Sequence, residues 1–310
     1  MLRASLLWLS ERPRLNRFVR RNRLATRFAS RFVAGETVDS ALAALRDLNA
    51  AHISASLDLL GESVHKPEEA RAARDIYLQL LERIHAAAAD SNVSVKLTQM
   101  GLDIDERLCV ENIRAIIGRA KQLGSFVRID MEGSAYTQRT LDLFTRTFYP
   151  EFGNATGAVV QSYLRRTAAD VDALIALGAR VRLCKGAYKE PDEVAFPDKR
   201  DVDANYVACM ERLLDRGHYP GLATHDERII THAKAFAKGR GIDASRFEFQ
   251  MLYGVRRDLQ HELRAAGYNL RVYVPFGSHW YPYLMRRLAE RPANIGFILG
   301  NVVKESLRRR

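Results

Sequence analysis

Eight short apolar runs along the chain each end on polar or ionisable side chains. These ends are Glu62, Lys96, Asp130 with Glu132, Gln161, Arg182 with Lys185, Thr224 with His225, Gln250 with Tyr253, and Tyr273. Burying such groups unpaired costs several kcal/mol each, so they either pair with one another or serve a shared site. For Lys96 and Asp130 alone, a structural ion pair explains the residue types as well as a binding role does. A second constellation lies near the end, where Tyr283, Arg286, Arg287 and Glu290 recur at helical spacing. Two adjacent guanidiniums suit a carboxylate or phosphate held bidentately; an exposed Arg286–Glu290 pair is the plainer alternative. Arg182, Lys185, Gly186 and Ala187 form a compact basic segment whose glycine lets backbone amides approach an anionic cofactor. Lys96 or Lys185 could also serve as the amine of a Schiff-base, aldolase-like barrel enzyme. There is no HExxH, EF-hand loop, GxSxG elbow or P-loop, so zinc hydrolysis, serine-nucleophile chemistry and P-loop phosphoryl transfer have no support.

The elements that would carry these groups alternate along the chain. Strand-like segments are expected at Ser54–Leu60, Val93–Leu97, Phe126–Met131, Ala158–Tyr163, Val181–Cys184, Leu222–Thr224, Phe247–Met251 and Asn269–Val274. Helical spacing fills each interval and continues over Tyr281–Glu290. Eight strands each followed by a helix describe an α/β protein of the TIM-like (β/α)8 barrel type, whose reactive groups gather at the carboxyl ends of the strands. A doubly wound sheet would need a glycine-rich turn after its first strand, and Leu60-Gly61-Glu62 lacks that spacing. The expected organisation is a helical arm over residues 1–51, the barrel over 52–310, and a final helix over the barrel mouth.

Net charge bears on partners. The chain of 310 residues carries a formal charge of +11. Nine arginines against Glu11 in the first 33 residues, together with Arg308–Arg310, account for all of it. The body is therefore balanced, which argues against a nucleic-acid groove in the core. For the Arg-rich start three readings stay open: a structural arm, a membrane-surface helix, or a transit peptide. No run approaches the roughly 18 apolar residues of a membrane span. Three cysteines, Cys109, Cys184 and Cys209, without CxxC spacing fit a reducing compartment and offer no zinc site.

Several stretches are more specific than this. Lys96-Leu97-Thr98, Asp130-Met131-Glu132, Gln161-Ser162-Tyr163, the run from Val181 to Tyr188, Ala223-Thr224-His225-Asp226, the run from Phe249 to Gly254, and above all the run from Tyr283 to Glu290 occur in that order. Together they resemble the signature of the proline dehydrogenase family, from about residue 30 to the end, in its short bacterial monofunctional form. The resemblance implies a distorted (β/α)8 barrel with non-covalent FAD, oxidation of L-proline to Δ1-pyrroline-5-carboxylate, and electron transfer to a membrane quinone from the cytoplasmic side. It implies that Lys96, Arg286 and Arg287 bind the substrate carboxylate, supported by Asp130, and that Tyr188, Leu252, Tyr273 and Tyr283 wall the ring. Gln161, Arg182, Lys185, Gly186, Ala187, Thr224 and His225 would hold the cofactor, with Phe196–Arg200 covering its adenosine end. Glu62 and Arg286 would form a gate. Hydride transfer needs no metal and no dedicated acid or base, and three cations around one carboxylate would lower the pKa of the substrate amine.

Overall fold

The computed structural model describes residues 29–290, and their side chains as far as Met285. Eight parallel strands close into one barrel in sequence order. They are β1 (Ser54–Leu59), β2 (Ser91–Val95), β3 (Val127–Ile129), β4 (Thr156–Gln161), β5 (Arg180–Cys184), β6 (Gly221–Ala223), β7 (Glu248–Leu252) and β8 (Asn269–Phe276). The helices are α1 (Val38–Ala50), α2 (Pro67–Ala86), α3 (Glu106–Gln122), α4 (Ser134–Leu143), α5 (Thr167–Ala176), α6 (Lys199–Arg216), α7 (Glu227–Gly239), α8 (Arg257–Ala265) and α9 (Trp280–Glu290). The expected (β/α)8 architecture is thus present. Strand boundaries shift by a few residues: β3 is shorter than Phe126–Met131, and β8 runs two residues past Val274.

Residues 1–28 of the arm lie outside the described residues. Within the stretch read as the arm, α1 starts with a reciprocal capping box between Thr37 and Ser40. Its Ala41, Leu42, Ala44 and Leu45 pack in the same apolar core as the strands, against β8 and β1. The helix after β3 is less regular than its spacing suggests. Beyond Leu143 it widens into a π-helical turn over Phe144–Phe148. A short helical turn, Tyr149–Phe152, follows with Pro150 as its second residue; the proline has no N–H to give, and its ring would crowd the carbonyl four residues back.

Alternation along the strands sorts side chains to two sides. Ala55, Leu57, Val93, Val95, Val127, Ile129, Val181, Leu183, Val272 and Val274 share one core with Tyr77, Leu80, Ile113, Ile116 and Leu213 of the surrounding helices. The other set fills the barrel interior and is polar. Ser56, Asp58, Ser94, Lys96, Arg128, Asp130, Arg182, Glu248, Gln250, Arg271 and Tyr273 meet there across the strands. At the amino end of the barrel, Arg271 holds Glu248 at 2.9 Å, and the fully buried Arg128 donates to the carbonyls of Ala158 and Arg180. Gly157 makes room there, since a Cβ would stand 2.6 Å from Arg128 Nη1 and 2.4 Å from the Arg180 carbonyl.

Candidate active site

Above this polar interior, at the carboxyl ends of the strands, a cavity of about 910 Å³ opens. Every described residue named from the sequence for substrate, gate or cofactor lines it, from Glu62 to Tyr283. Arg286 and Arg287 belong to the part of α9 whose side chains lie outside the described residues. Phe196, Pro197 and Lys199, from the segment expected to cover the adenosine end, line it too.

The cavity floor is a neutralised charge cluster. Lys96 Nζ donates to Asp58 Oδ1 at 2.7 Å and lies 3.7 Å from Asp130 Oδ2. Arg182 Nη1 reaches Asp130 Oδ1 at 2.7 Å, while its Nε donates to Gln250. The Tyr273 hydroxyl donates to Asp130 Oδ2 at 2.8 Å. Burial works against the Lys96 charge, but Asp58 and then Asp130 outweigh it and hold the ammonium well above its ordinary pKa. Burial, reinforced by Asp130 and Asp58, pushes the Tyr273 phenol well up, so it stays a donor. Lys96 does lie near Asp130, the partner weighed from the sequence, but its closer partner is Asp58. Asp58 escaped the sequence reading; its only signal was a lone carboxylate inside Ser54–Leu59, one strand over from Lys96. Arg182 is likewise engaged by Asp130 and Gln250 on the side facing the interior.

Toward the outer half, Lys185 sits between Asp203 Oδ1 at 2.5 Å and Asp226 Oδ2 at 3.1 Å. Asp226 also caps α7 through the Arg228 amide and receives Lys199 at 3.8 Å. The Leu252 amide donates to His225 Nε2 at 2.9 Å, fixing the imidazole at the rim. Gln161 Nε2 donates to the Glu132 carbonyl at 2.9 Å. The Glu132 carboxylate accepts from the Thr98 amide and hydroxyl, and burial raises its pKa in spite of those bonds. Gly186 adopts φ +104°, and a Cβ there would lie 2.2 Å from the Tyr163 ring, so no larger residue fits. Backbone at that point thus comes close to the cavity. The arrangement offers fixed cations and phenols at the inner end and a glycine, two lysines, a threonine and a histidine at the outer end. Among the described residues, no group of three or more His, Cys, Asp or Glu could hold a metal ion.

Comparison with known proteins agrees with this geometry. The family model described as "Proline dehydrogenase" matches residues 41–299. The chain is similar to the proline dehydrogenase of Deinococcus radiodurans, 43% identical over 308 residues and covering 98% of both chains. It is 42% identical to proline dehydrogenase 1 of Bacillus subtilis strain 168, covering 98% of this chain and 100% of that one. Among solved structures it resembles proline utilization A from Bdellovibrio bacteriovorus, with TM-score 0.80 and 29% identity, over 85% of this chain and 32% of that one. By this fold, this cavity and these similarities, the chain belongs to the proline dehydrogenase family.

Proposed function

We propose that the chain oxidises L-proline to Δ1-pyrroline-5-carboxylate using non-covalently bound FAD, and that the electrons pass to a membrane quinone. The observation that carries this reading is the two-part cavity at the barrel mouth, a paired charge cluster within and a basic, glycine-bearing wall without. Its volume of about 910 Å³ is near the top of the range of about 300–1,000 Å³ common for cofactor and ligand clefts. Gly186, Lys185, Lys199, Thr224 and His225 are suited in donor type to a dinucleotide bearing phosphates. Bound FAD supplies the acceptor for a hydride from the ring carbon beside nitrogen.

This chain's own residues do the rest. Lys96 keeps its ammonium and offers a remaining N–H to the substrate carboxylate, while Asp58 and Asp130 fix where that N–H points. Arg286 and Arg287 supply the charge that Lys96, already paired, does not. They are the groups that favour the neutral amine of the substrate by repelling its proton. Tyr273, held by Asp130, and Tyr188, Leu252 and Tyr283 wall the ring and exclude water. Glu62 at the rim would close on Arg286 once substrate is in place. No acid or base is assigned, and a Schiff-base role for Lys96 is disfavoured, since a nucleophilic amine must first lose the proton that Asp58 and Asp130 retain.

The basic termini would dock the protein on the cytoplasmic face of an anionic membrane, each suitably placed arginine contributing about 1 kcal/mol. No helix among the described residues is long and apolar enough to cross a membrane. The test combines an absorbance spectrum with a proline:quinone assay. A yellow protein that releases FAD on denaturation and reduces a quinone analogue with proline supports the reading; a colourless protein that gains no flavin on incubation with FAD refutes it.

A further inference from the structure

The outer wall of the cavity is the segment between β5 and α6, and it is stitched to one neighbour residue by residue. Tyr163, just after β4, accepts at its carbonyl from the Phe196 amide at 2.8 Å and donates its own amide to the Lys185 carbonyl at 2.9 Å. Arg165 continues the seam, its amide donating to Val194 and its guanidinium lying over the Phe196 ring. Besides the Lys185 pairs with Asp203 and Asp226, the wall is tied to the start of α4 through Glu190. The Glu190 carboxylate accepts from the Ser134 amide at 2.7 Å, from the Ser134 hydroxyl, and from the Tyr163 hydroxyl at 3.2 Å. Ser134 is the first residue of α4, and its preceding Gly133 provides no side-chain cap. Glu190 thus caps α4 from 56 residues away, placing its negative charge where the helix amides point.

We infer that Glu190 is a positioning residue: its carboxylate straps the Lys185–Phe196 wall to the start of α4 and to Tyr163, and so sets how slowly the cofactor leaves the cavity. The inference rests on the reading that this cavity holds FAD. The reasons are mechanical. The wall carries Gly186, Ala187 and Tyr188 into the cavity lining, yet among the described residues the stretch from Lys189 to Glu193 makes no backbone–backbone hydrogen bond to another element, and its backbone is held only where the Asp192 carbonyl accepts from Arg165 Nε at 3.0 Å. Across that stretch, Glu190 makes three of the contacts that leave the segment. Two come from groups that would otherwise be unsatisfied, the first amide of a helix and the phenol of the buried Tyr163. Removing the carboxylate frees the strip that must move before a bound dinucleotide can escape.

The test uses purified holoenzyme of the full chain, diluted in the absence of free FAD, with flavin release followed by its rise in fluorescence. Glu190→Ala is expected to release FAD about tenfold faster or more, the scale of a lost charge-assisted contact. Glu190→Gln, which keeps one accepting oxygen, should fall between, and Tyr163→Phe should show a smaller rise. Glu193→Ala, an exposed acid of the same segment, should match the parent. The readout is the release rate itself, which any accompanying change in proline KM through Tyr188, carried by the same wall, does not enter. Limited trypsin digestion gives a second readout that needs no cofactor: cleavage after Lys189 should speed up in Tyr163→Phe, which removes a partner of Glu190 and leaves the residues around the scissile bond unchanged. FAD release as slow as the parent in a folded Glu190→Ala protein overturns the strap, as does equal acceleration by Glu193→Ala. If Glu190→Ala does not fold, Tyr163→Phe decides the matter on the same two readouts. A parent protein that takes up no FAD defeats the cofactor reading, and the trypsin comparison still decides whether Glu190 holds the wall.

Discussion

Lys96, the residue after β2, and Asp58 of β1 meet at 2.7 Å inside the barrel, almost entirely out of water. Asp130 stands 3.7 Å from the same ammonium and is itself taken by Arg182. Two cations therefore face two carboxylates before any substrate arrives. Such a cluster adds little net stability, but losing one member leaves a buried charge without its partner.

Asp58→Asn is accordingly expected to lower unfolding free energy by about 3 kcal/mol, the scale for breaking a buried pair from one side. The double variant Asp58→Asn/Lys96→Met should lose clearly less than the two single losses combined. Urea midpoints of the three variants and the parent check this, and strict additivity would show that the pair is not energetically coupled.

The amino end of the barrel predicts an acid limb in stability. Glu248 is buried, which alone would raise its pKa, but Arg271 and the Gln250 amide more than compensate and hold it below the usual 4.5. A carboxyl depressed in the folded state stabilises fully above its unfolded value, and that contribution is lost as pH falls from about 4.5 through the folded value. Thermal melts as a function of pH should therefore show the parent destabilised below about pH 4.5. Glu248→Gln should be less stable at neutral pH and show a shallower acid decline. An unchanged acid limb would place the titrating group elsewhere.

Gly186 makes a steric prediction. At φ +104°, and with the Tyr163 ring where its Cβ would be, Gly186→Ala cannot keep both the backbone turn and the ring position. The variant is expected to fold, since the clash lies at the cavity wall rather than in the main core, but to bind FAD more weakly than the parent. Flavin content per chain after purification measures it; full occupancy would mean that the wall relaxes without cost.

His225 makes a spectroscopic one. Because the Leu252 amide donates to its Nε2, the neutral ring must carry its proton on Nδ1. Nitrogen chemical shifts of selectively labelled histidine should show one ring in that tautomer at neutral pH, and the signal should disappear in His225→Gln. An Nε2–H signal for this ring would contradict the contact.

The sequence carried much of this architecture, for a physical reason. Val181–Cys184 and Phe247–Met251 are short runs flanked by helical spacing, and parallel strands buried on both faces must be written that way. What it could not carry were partners across the barrel. Arg182 lines the cavity as expected of a cofactor residue, and its guanidinium also reaches Asp130, 52 positions earlier, because both point into the interior from strands two places apart in the ring. Lys185, expected to bring its charge to an anionic cofactor, is held by Asp203 and Asp226 from two later elements, neither of which its own segment announces. Asp58 was missed for the same reason, since a carboxylate within an apolar strand declares neither its side nor its neighbour. Periodicity records which residues are buried, whereas pairing depends on closure of the ring.

That closure also has a consequence for how the chain is made. β1 finds one of its two partners at once in β2, but the other, β8, lies more than 200 residues downstream, pairing Ser54 with Arg271 through to Leu59 with Phe276. On the ribosome, then, the first strand waits with an open hydrogen-bonding edge until nearly the whole barrel has emerged. α1 lies across β1 and β8 together, so its apolar face has only half its seat during that wait. Synthesis halted before residue 276 would leave an unsealed sheet prone to pair with other chains, and the newborn protein depends most on chaperones in that interval.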